Sequence, residues 1–203
     1  MQELTTTPTG NATETNLSDF DFLEKLDFQT FGENCLEKAV KEASRYVAML
    51  RLGKRPYWLG LVGTSGTGKT YLARQIFNYA IRHIAKSYKI FGESEIYVGD
   101  CYATTADRLA EMWREQKSGR SDGLCSADLL FIDDIGTTAD KSGFITDAMY
   151  TLLSRRVGKW TILTSNLDFN GITEQFDARL ADRMIRDGNI VVKMDCESYS
   201  RRK

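Results

Sequence analysis

Eight consecutive residues, Gly63-Thr64-Ser65-Gly66-Thr67-Gly68-Lys69-Thr70, constrain this chain more than any other feature. They follow a short apolar run, Trp58-Leu59-Gly60-Leu61-Val62, and precede a segment in which Leu72, Ile76, Phe77, Ala80, Ile81 and Ile84 recur at helical spacing. Strand, glycine-rich turn and amphipathic helix in that order form a loop whose backbone N–H groups converge beside the positive end of the helix. That arrangement fits phosphate oxygens. Glycines at 63, 66 and 68 let the backbone adopt dihedrals that a side chain forbids and approach a ligand closely. Lys69 is placed to reach β- and γ-phosphates, and the Thr70 hydroxyl to ligate magnesium. The expected ligands are therefore ATP and Mg2+.

The rest of the chain alternates in the same way. A helix is predicted from about Asn34 to Leu52 on the spacing of Cys35, Leu36, Ala39, Val40, Ala43, Val47 and Leu50, with Gly53 stopping it. Strands are predicted at Glu95–Asp100, Leu129–Ile132, Trp160–Thr164 and Ile190–Met194. Helices are predicted at Thr105 to about Lys117, Phe144–Val157 and Thr173 to about Arg186. Apolar strands interleaved with helices imply an α/β fold, a parallel five-stranded sheet with helices on both faces. Residues 1–29 read as a flexible tail with a candidate partner-binding or docking cluster at Phe20, Phe22, Leu23 and Leu26, and residues 30–203 as one domain.

Charge and cysteines narrow the function. A formal net charge of -1 rules out a uniformly basic surface, so any nucleic-acid contact must be a local patch. Cys35, Cys101, Cys125 and Cys196 lack C-x-x-C spacing and His83 is the only histidine, which argues against a zinc site and for reduced thiols. No run approaches the ~20 apolar residues that span a bilayer, and no signal peptide is visible, so the expectation is a cytoplasmic protein with no membrane partner.

Three further stretches carry chemistry. Leu129-Leu130-Phe131-Ile132-Asp133-Asp134 is an apolar strand ending in two carboxylates, and in a parallel sheet it can lie beside the strand that leads into the glycine loop. Asp133 would then hold magnesium and Asp134 orient or deprotonate the attacking water, although Asp also favours plain caps and turns. Thr161 to Asn166 is a strand whose terminal Asn166 either contacts a γ-phosphate and its attacking water or closes an Asx-turn. Arg179 and Arg183 lie four apart on one helix face. They suit either an arginine finger or a solvated face with an Asp182–Arg186 pair.

In their order and spacing, the stretches GTSGTGKTYLA, ADLLFIDDIG, TILTSN and FDARLADRM, with the ending ESYSRR, resemble the AAA+ ATPases of the DnaC/IstB type over roughly Asp27 to Arg202. The resemblance implies a P-loop NTPase domain of AAA+ type, with no room before Lys203 for a C-terminal lid. It implies ATP hydrolysis in a ring or spiral homo-oligomer. Asn166 would be the first sensor and Arg179 the finger acting on a neighbouring subunit's ATP, with Arg183 as the competing candidate. Arg201 or Arg202 would be the second sensor. Single-stranded DNA would meet the region of Thr104 to Ser121, where Arg108, Arg114, Lys117 and Arg120 are available and Trp113 suits either stacking or the core. The implied role is a replication accessory protein that serves a replicative helicase. The alternative is a transposition helper that serves a transposase. A small-molecule kinase would need an acceptor lid with clustered arginines, which has no counterpart between Lys117 and Leu129.

Overall fold

The computed structural model describes residues 33–83, 100–115, 123–136, 143–176 and 178–198. The expected tail at 1–29, Ile84, Glu95 to Gly99, Lys117, Arg120, Arg201 and Arg202 lie outside these residues. The elements run α1 (Glu33–Leu52), β1 (Trp58–Val62), α2 (Lys69–His83), β2 (Cys101–Thr105), α3 (Ala106–Arg114), β3 (Leu129–Ile135), α4 (Phe144–Ser154), β4 (Trp160–Ser165), α5 (Phe169–Phe176), α6 (Ala178–Ile185) and β5 (Ile190–Lys193).

The five strands form one sheet in the order β2-β3-β4-β1-β5. Every pairing is parallel. β1, β3 and β4 are buried almost throughout, which is why each reads as a continuous apolar run. Two apolar layers enclose the sheet. On one face α1 and α2 contribute Val40, Val47, Leu50, Leu72 and Ile76, and on the other α3, α4, α5 and α6 contribute Leu109, Met149, Leu153, Ile172, Leu180 and Met184. Each fully buried Leu, Ile or Val contributes about 1.5–3 kcal/mol of transfer free energy. Among the described residues no helix is long and apolar enough to cross a membrane.

α1 ends where expected: Gly53 takes a positive φ of 62°, and the Gly53 and Lys54 amides bond back to the carbonyls of Leu50 and Met49. Four expectations about the elements need correction. The second strand is Cys101–Thr105, and Asp100 is in no strand. As an edge strand with mostly exposed or half-exposed side chains, it carries little apolar signal. β3 does not lie beside β1, because β4 separates them. The single helix expected from Thr173 is two helices, α5 starting earlier at Phe169 and α6 at Ala178. α4 ends at Ser154, before Val157.

That early end releases Arg156, which is fully buried. Its Nη1 donates to the carbonyls of Leu124 and Ala127, both at 2.8 Å, its Nη2 to Trp160 O at 2.6 Å, and its Nε to Thr161 Oγ1 at 3.0 Å. Burial pushes its pKa down to about 10, so the guanidinium remains charged at neutral pH. It supplies buried donors to three carbonyls and ties the helical turn at 123–126 and Ala127 to β4. Cys101 and Cys125 are free thiols. Cys196 is disulfide-bonded, which corrects the expectation of reduced thiols throughout. Spacing alone gave no sign of a pairing made through tertiary structure.

Candidate functional site

The glycine loop turns over the C-terminal end of β1. Gly63, Gly66 and Gly68 have φ of 123°, 78° and 91°, a region other residues rarely adopt. The loop's entrance is stitched to both neighbours of β1: Gly63 N donates to Leu167 O at 3.1 Å, beyond β4, and Met194 N donates to Val62 O at 2.7 Å, beyond β5. The segment after β5 then runs along the loop. A Cβ on Gly63 would lie 2.7 Å from the Met194 carbonyl oxygen, and one on Gly66 would meet the Ser198 hydroxyl. Gly68 has open space, so there only the dihedral demands glycine.

Lys69 opens α2 and is 4% exposed. Its ammonium group donates to Thr64 O at 2.5 Å, while Thr67 Oγ1 donates to the same carbonyl at 3.1 Å. Burial holds the Lys69 pKa below its ordinary value, opposed by the carboxylates of Asp134, Asp133 and Asp195. A buried cation bonded to a carbonyl of the glycine loop suits a polyphosphate by charge.

Across β4, the end of β3 delivers the carboxylates. Asp133 is buried, and its Oδ1 accepts from Thr70 Oγ1 at 2.8 Å and from Thr164 Oγ1 at 2.6 Å. Arg74 Nη2 lies 3.5 Å from Asp133 Oδ2. At Asp134 the strand breaks its register with β4: φ is 57°, and the Asp134 amide donates to Thr164 Oγ1 at 2.8 Å. The Asp134 side chain therefore leaves the core, and its Oδ1 accepts from Asn166 Nδ2 at 3.1 Å. Burial first and the neighbouring Asp133 second raise the Asp134 pKa, partly countered by Lys69. Ser165 Oγ donates to Ile135 O at 2.7 Å and accepts from Leu167 N at 3.1 Å, holding Asn166 at the strand end.

Thr70, Asp133, Asp134 and Asn166 are thus joined by hydrogen bonds through one residue, Thr164, that the sequence reading did not single out. A donor hydroxyl and a carboxylate oxygen converging at 2.8 Å, beside a buried lysine, suit a magnesium–triphosphate group by charge and by the oxygen preference of Mg2+. Arg179 and Arg183 belong to a second cluster, against Tyr150 of α4. The Arg179 and Arg183 Cζ atoms lie 4.8 Å and 5.1 Å from the Tyr150 ring centroid, and Arg183 Nη2 donates to the Tyr150 hydroxyl at 3.3 Å. The bond from Arg183 is the largest of the effects lowering the Tyr150 pKa. The expected Asp182–Arg186 pair is also present.

On the far edge, β2, α3 and the start of the helical turn at 123–126 border an open cavity of about 560 Å³ whose lining includes Tyr102, Arg108, Met112 and Glu115. Arg108 and Arg114 are exposed. Trp113 packs half-buried against the core, in keeping with its core reading.

Residues 12–203 match a family described as IstB-like ATP binding protein. The chain is 30% identical over 172 residues to the replicative helicase loader DnaC of Buchnera aphidicola subsp. Schizaphis graminum, covering 80% of this chain and 63% of that protein. Among solved structures, DnaI superposes with a TM-score of 0.63 at 23% identity, covering 90% of this chain and 88% of that one. The replication initiator DnaA bound to AMPPCP and single-stranded DNA superposes with a TM-score of 0.61 at 20% identity, covering 91% and 50%. These likenesses extend to the five-stranded parallel sheet with helices on both faces.

Proposed function

The chain belongs to the IstB-like ATP binding protein family, and from that premise we propose that it is an ATPase serving DNA replication as a helicase-loader-type accessory factor. The observation that carries the reading is the convergence of Thr70 and Thr164 on Asp133 under the Gly63–Thr70 loop. The name of the DnaC relative supports the replicative role. Gly63, Thr64, Ser65, Gly66, Thr67 and Gly68 bind phosphate oxygens through their backbone, and Lys69 exchanges its bond to Thr64 O for the β- and γ-phosphates. Thr70 and Asp133 hold Mg2+, which supplies neutralisation of charge on the phosphates. Asp134 holds the attacking water and accepts its proton, while Asn166 fixes the Asp134 carboxylate and senses the γ-phosphate. Arg179, with Arg183 as the competing candidate, stabilises the transferring phosphoryl group of an adjacent subunit, and Arg201 or Arg202 contacts the nucleotide in its own subunit. This requires a homo-oligomer, a ring or spiral.

Single-stranded DNA is the proposed nucleic-acid partner. Arg108, Arg114, Lys117 and Arg120 form the proposed backbone contacts; the exposure of Arg108 and Arg114 supports the first two. The protein partner is a replicative helicase. The alternative partner is a transposase, and co-purification with one or the other distinguishes the two.

The test is phosphate release from ATP with and without single-stranded DNA, for the wild type, Arg179→Ala, Arg183→Ala and Lys69→Ala. DNA-stimulated hydrolysis is expected, abolished by Lys69→Ala. Mixing an arginine variant with Lys69→Ala should restore part of the activity, since each supplies the half the other lacks. Absence of hydrolysis under every condition would sink the reading.

A further inference from the structure

Two guanidinium groups share one tyrosine in this molecule. Arg179 and Arg183 sit one turn apart on α6, and both lie over the ring of Tyr150 on α4. Both helices are anchored in the same core layer, α4 by Met149, Leu152 and Leu153 and α6 by Leu180, Ala181 and Met184. Arg183 has a further anchor through its backbone. Its carbonyl accepts from Asn189 Nδ2 at 3.2 Å, and Asn189 Oδ1 accepts from the amide of Trp58 at 3.1 Å. Trp58 is the first residue of β1, the strand that ends in the glycine loop.

We propose that Tyr150 is a positioning residue for the α6 arginine pair: its ring and hydroxyl hold Arg179 and Arg183 at the angle from which one of them meets the γ-phosphate bound by a neighbouring subunit. The inference rests on the ATPase reading above and goes beyond it by naming what orders the arginines. A free arginine side chain samples many rotamers, and each must be given up when the guanidinium engages a phosphate. Stacking on an aromatic face restrains the planar group while leaving its N–H edge available, because the ring occupies only the π-face. The hydroxyl bond restrains Arg183 further, so the loss of order in the pair should be greater without the whole ring than without the hydroxyl alone.

The test compares wild type, Tyr150→Phe, Tyr150→Leu, Arg179→Ala, Arg183→Ala and the double arginine variant. It combines side-chain NMR of the arginines, binding of a fluorescent ATP analogue, and ATP turnover. In Tyr150→Leu the Arg179 and Arg183 side-chain resonances are expected to lose their ring-current shift. Turnover should fall roughly 10-fold or more, the scale of a misplaced reacting group, while nucleotide affinity and melting temperature stay close to wild type. Tyr150→Phe should keep the ring shift and most of the rate. Adding Tyr150→Leu to the double arginine variant should cost nothing further. Loss of the ring shift with unchanged turnover would overturn the proposal, as would an equal loss on the arginine-free background. If wild type hydrolyses ATP but neither arginine matters, the ATPase reading survives and the positioning role falls. If wild type hydrolyses no ATP under any condition, both fall together.

Discussion

Thr164 Oγ1 lies 2.6 Å from Asp133 Oδ1 and simultaneously accepts the Asp134 amide at 2.8 Å, so one hydroxyl on β4 fixes two consecutive residues of β3. Thr164→Val keeps the shape and removes this bridge, leaving the Asp134 amide without its acceptor. The expected cost is about 1–3 kcal/mol of stability. The magnesium concentration for half-maximal turnover should rise roughly 10- to 100-fold, the usual penalty for losing a group that orients a metal ligand. A magnesium titration of ATP turnover beside a thermal melt checks both. An unaltered magnesium requirement would reduce Thr164 to a structural tie.

Gly66→Ala should abolish ATP binding more completely than its size suggests. The new methyl group must occupy a φ of 78° and also the space of the Ser198 hydroxyl. Adding Ser198→Gly should relieve only the contact, leaving the strain of a non-glycine residue at positive φ, of order 1–3 kcal/mol. Fluorescent-nucleotide titration of the single and double variants separates the two contributions. Full rescue by Ser198→Gly would show that the dihedral is unimportant.

Arg156→Met is predicted to be among the most destabilising single changes outside the apolar core. It leaves the carbonyls of Leu124, Ala127 and Trp160 and the Thr161 hydroxyl without their buried donor. A loss of about 3 kcal/mol or more is expected, since each orphaned group costs ~1–3 kcal/mol. For a domain of this size that is a fall in Tm of roughly 6–12 °C. Chemical and thermal unfolding measure it directly, and a variant within about 2 °C of wild type would contradict the assignment (about 0.5–1 kcal/mol on the same scale).

Cys101 should resist alkylation at neutral pH. Burial, with the carboxylates of Asp128 and Asp100, pushes its thiol up to about 11. Only the thiolate reacts, so at pH 8 the reactive fraction is about one in a thousand and should rise through pH 10 and 11. Because the folded pKa is raised, ionising Cys101 also works against the fold as pH climbs through that value. Iodoacetamide labelling followed by peptide mass spectrometry gives the rate. Labelling at pH 8 as fast as a free cysteine would refute the shift.

The glycine loop and the Asp133-Asp134 strand end were legible because their information is local: spacing within eight residues, and a run of apolar residues that stops at a charge. The element order was legible for the same reason, from periodicity in β1, β3, β4, α1 and α2. What escaped is tertiary. Thr164 and Ser165 sit among the apolar residues of β4 as unremarkable polar positions, and only the neighbouring strand reveals their acceptors. Arg155 and Arg156 are adjacent and chemically identical, yet one is exposed and the other fully buried. The position of β2 was missed because an edge strand with exposed side chains has no alternation to detect.

The sheet order also sets a timetable. β1 hydrogen-bonds only to β4 and β5 in this sheet, so the strand that carries the glycine loop finds its first partner at Trp160–Ser165 and its second at Ile190–Lys193. On the ribosome, roughly a hundred further residues must emerge before β1 can be bracketed on either side, several seconds at ordinary rates of synthesis. β2 and β3, only about two dozen residues apart, can pair well before then. A nascent chain should therefore acquire one edge of its sheet first, and its capacity to hold a nucleotide among the last of its properties.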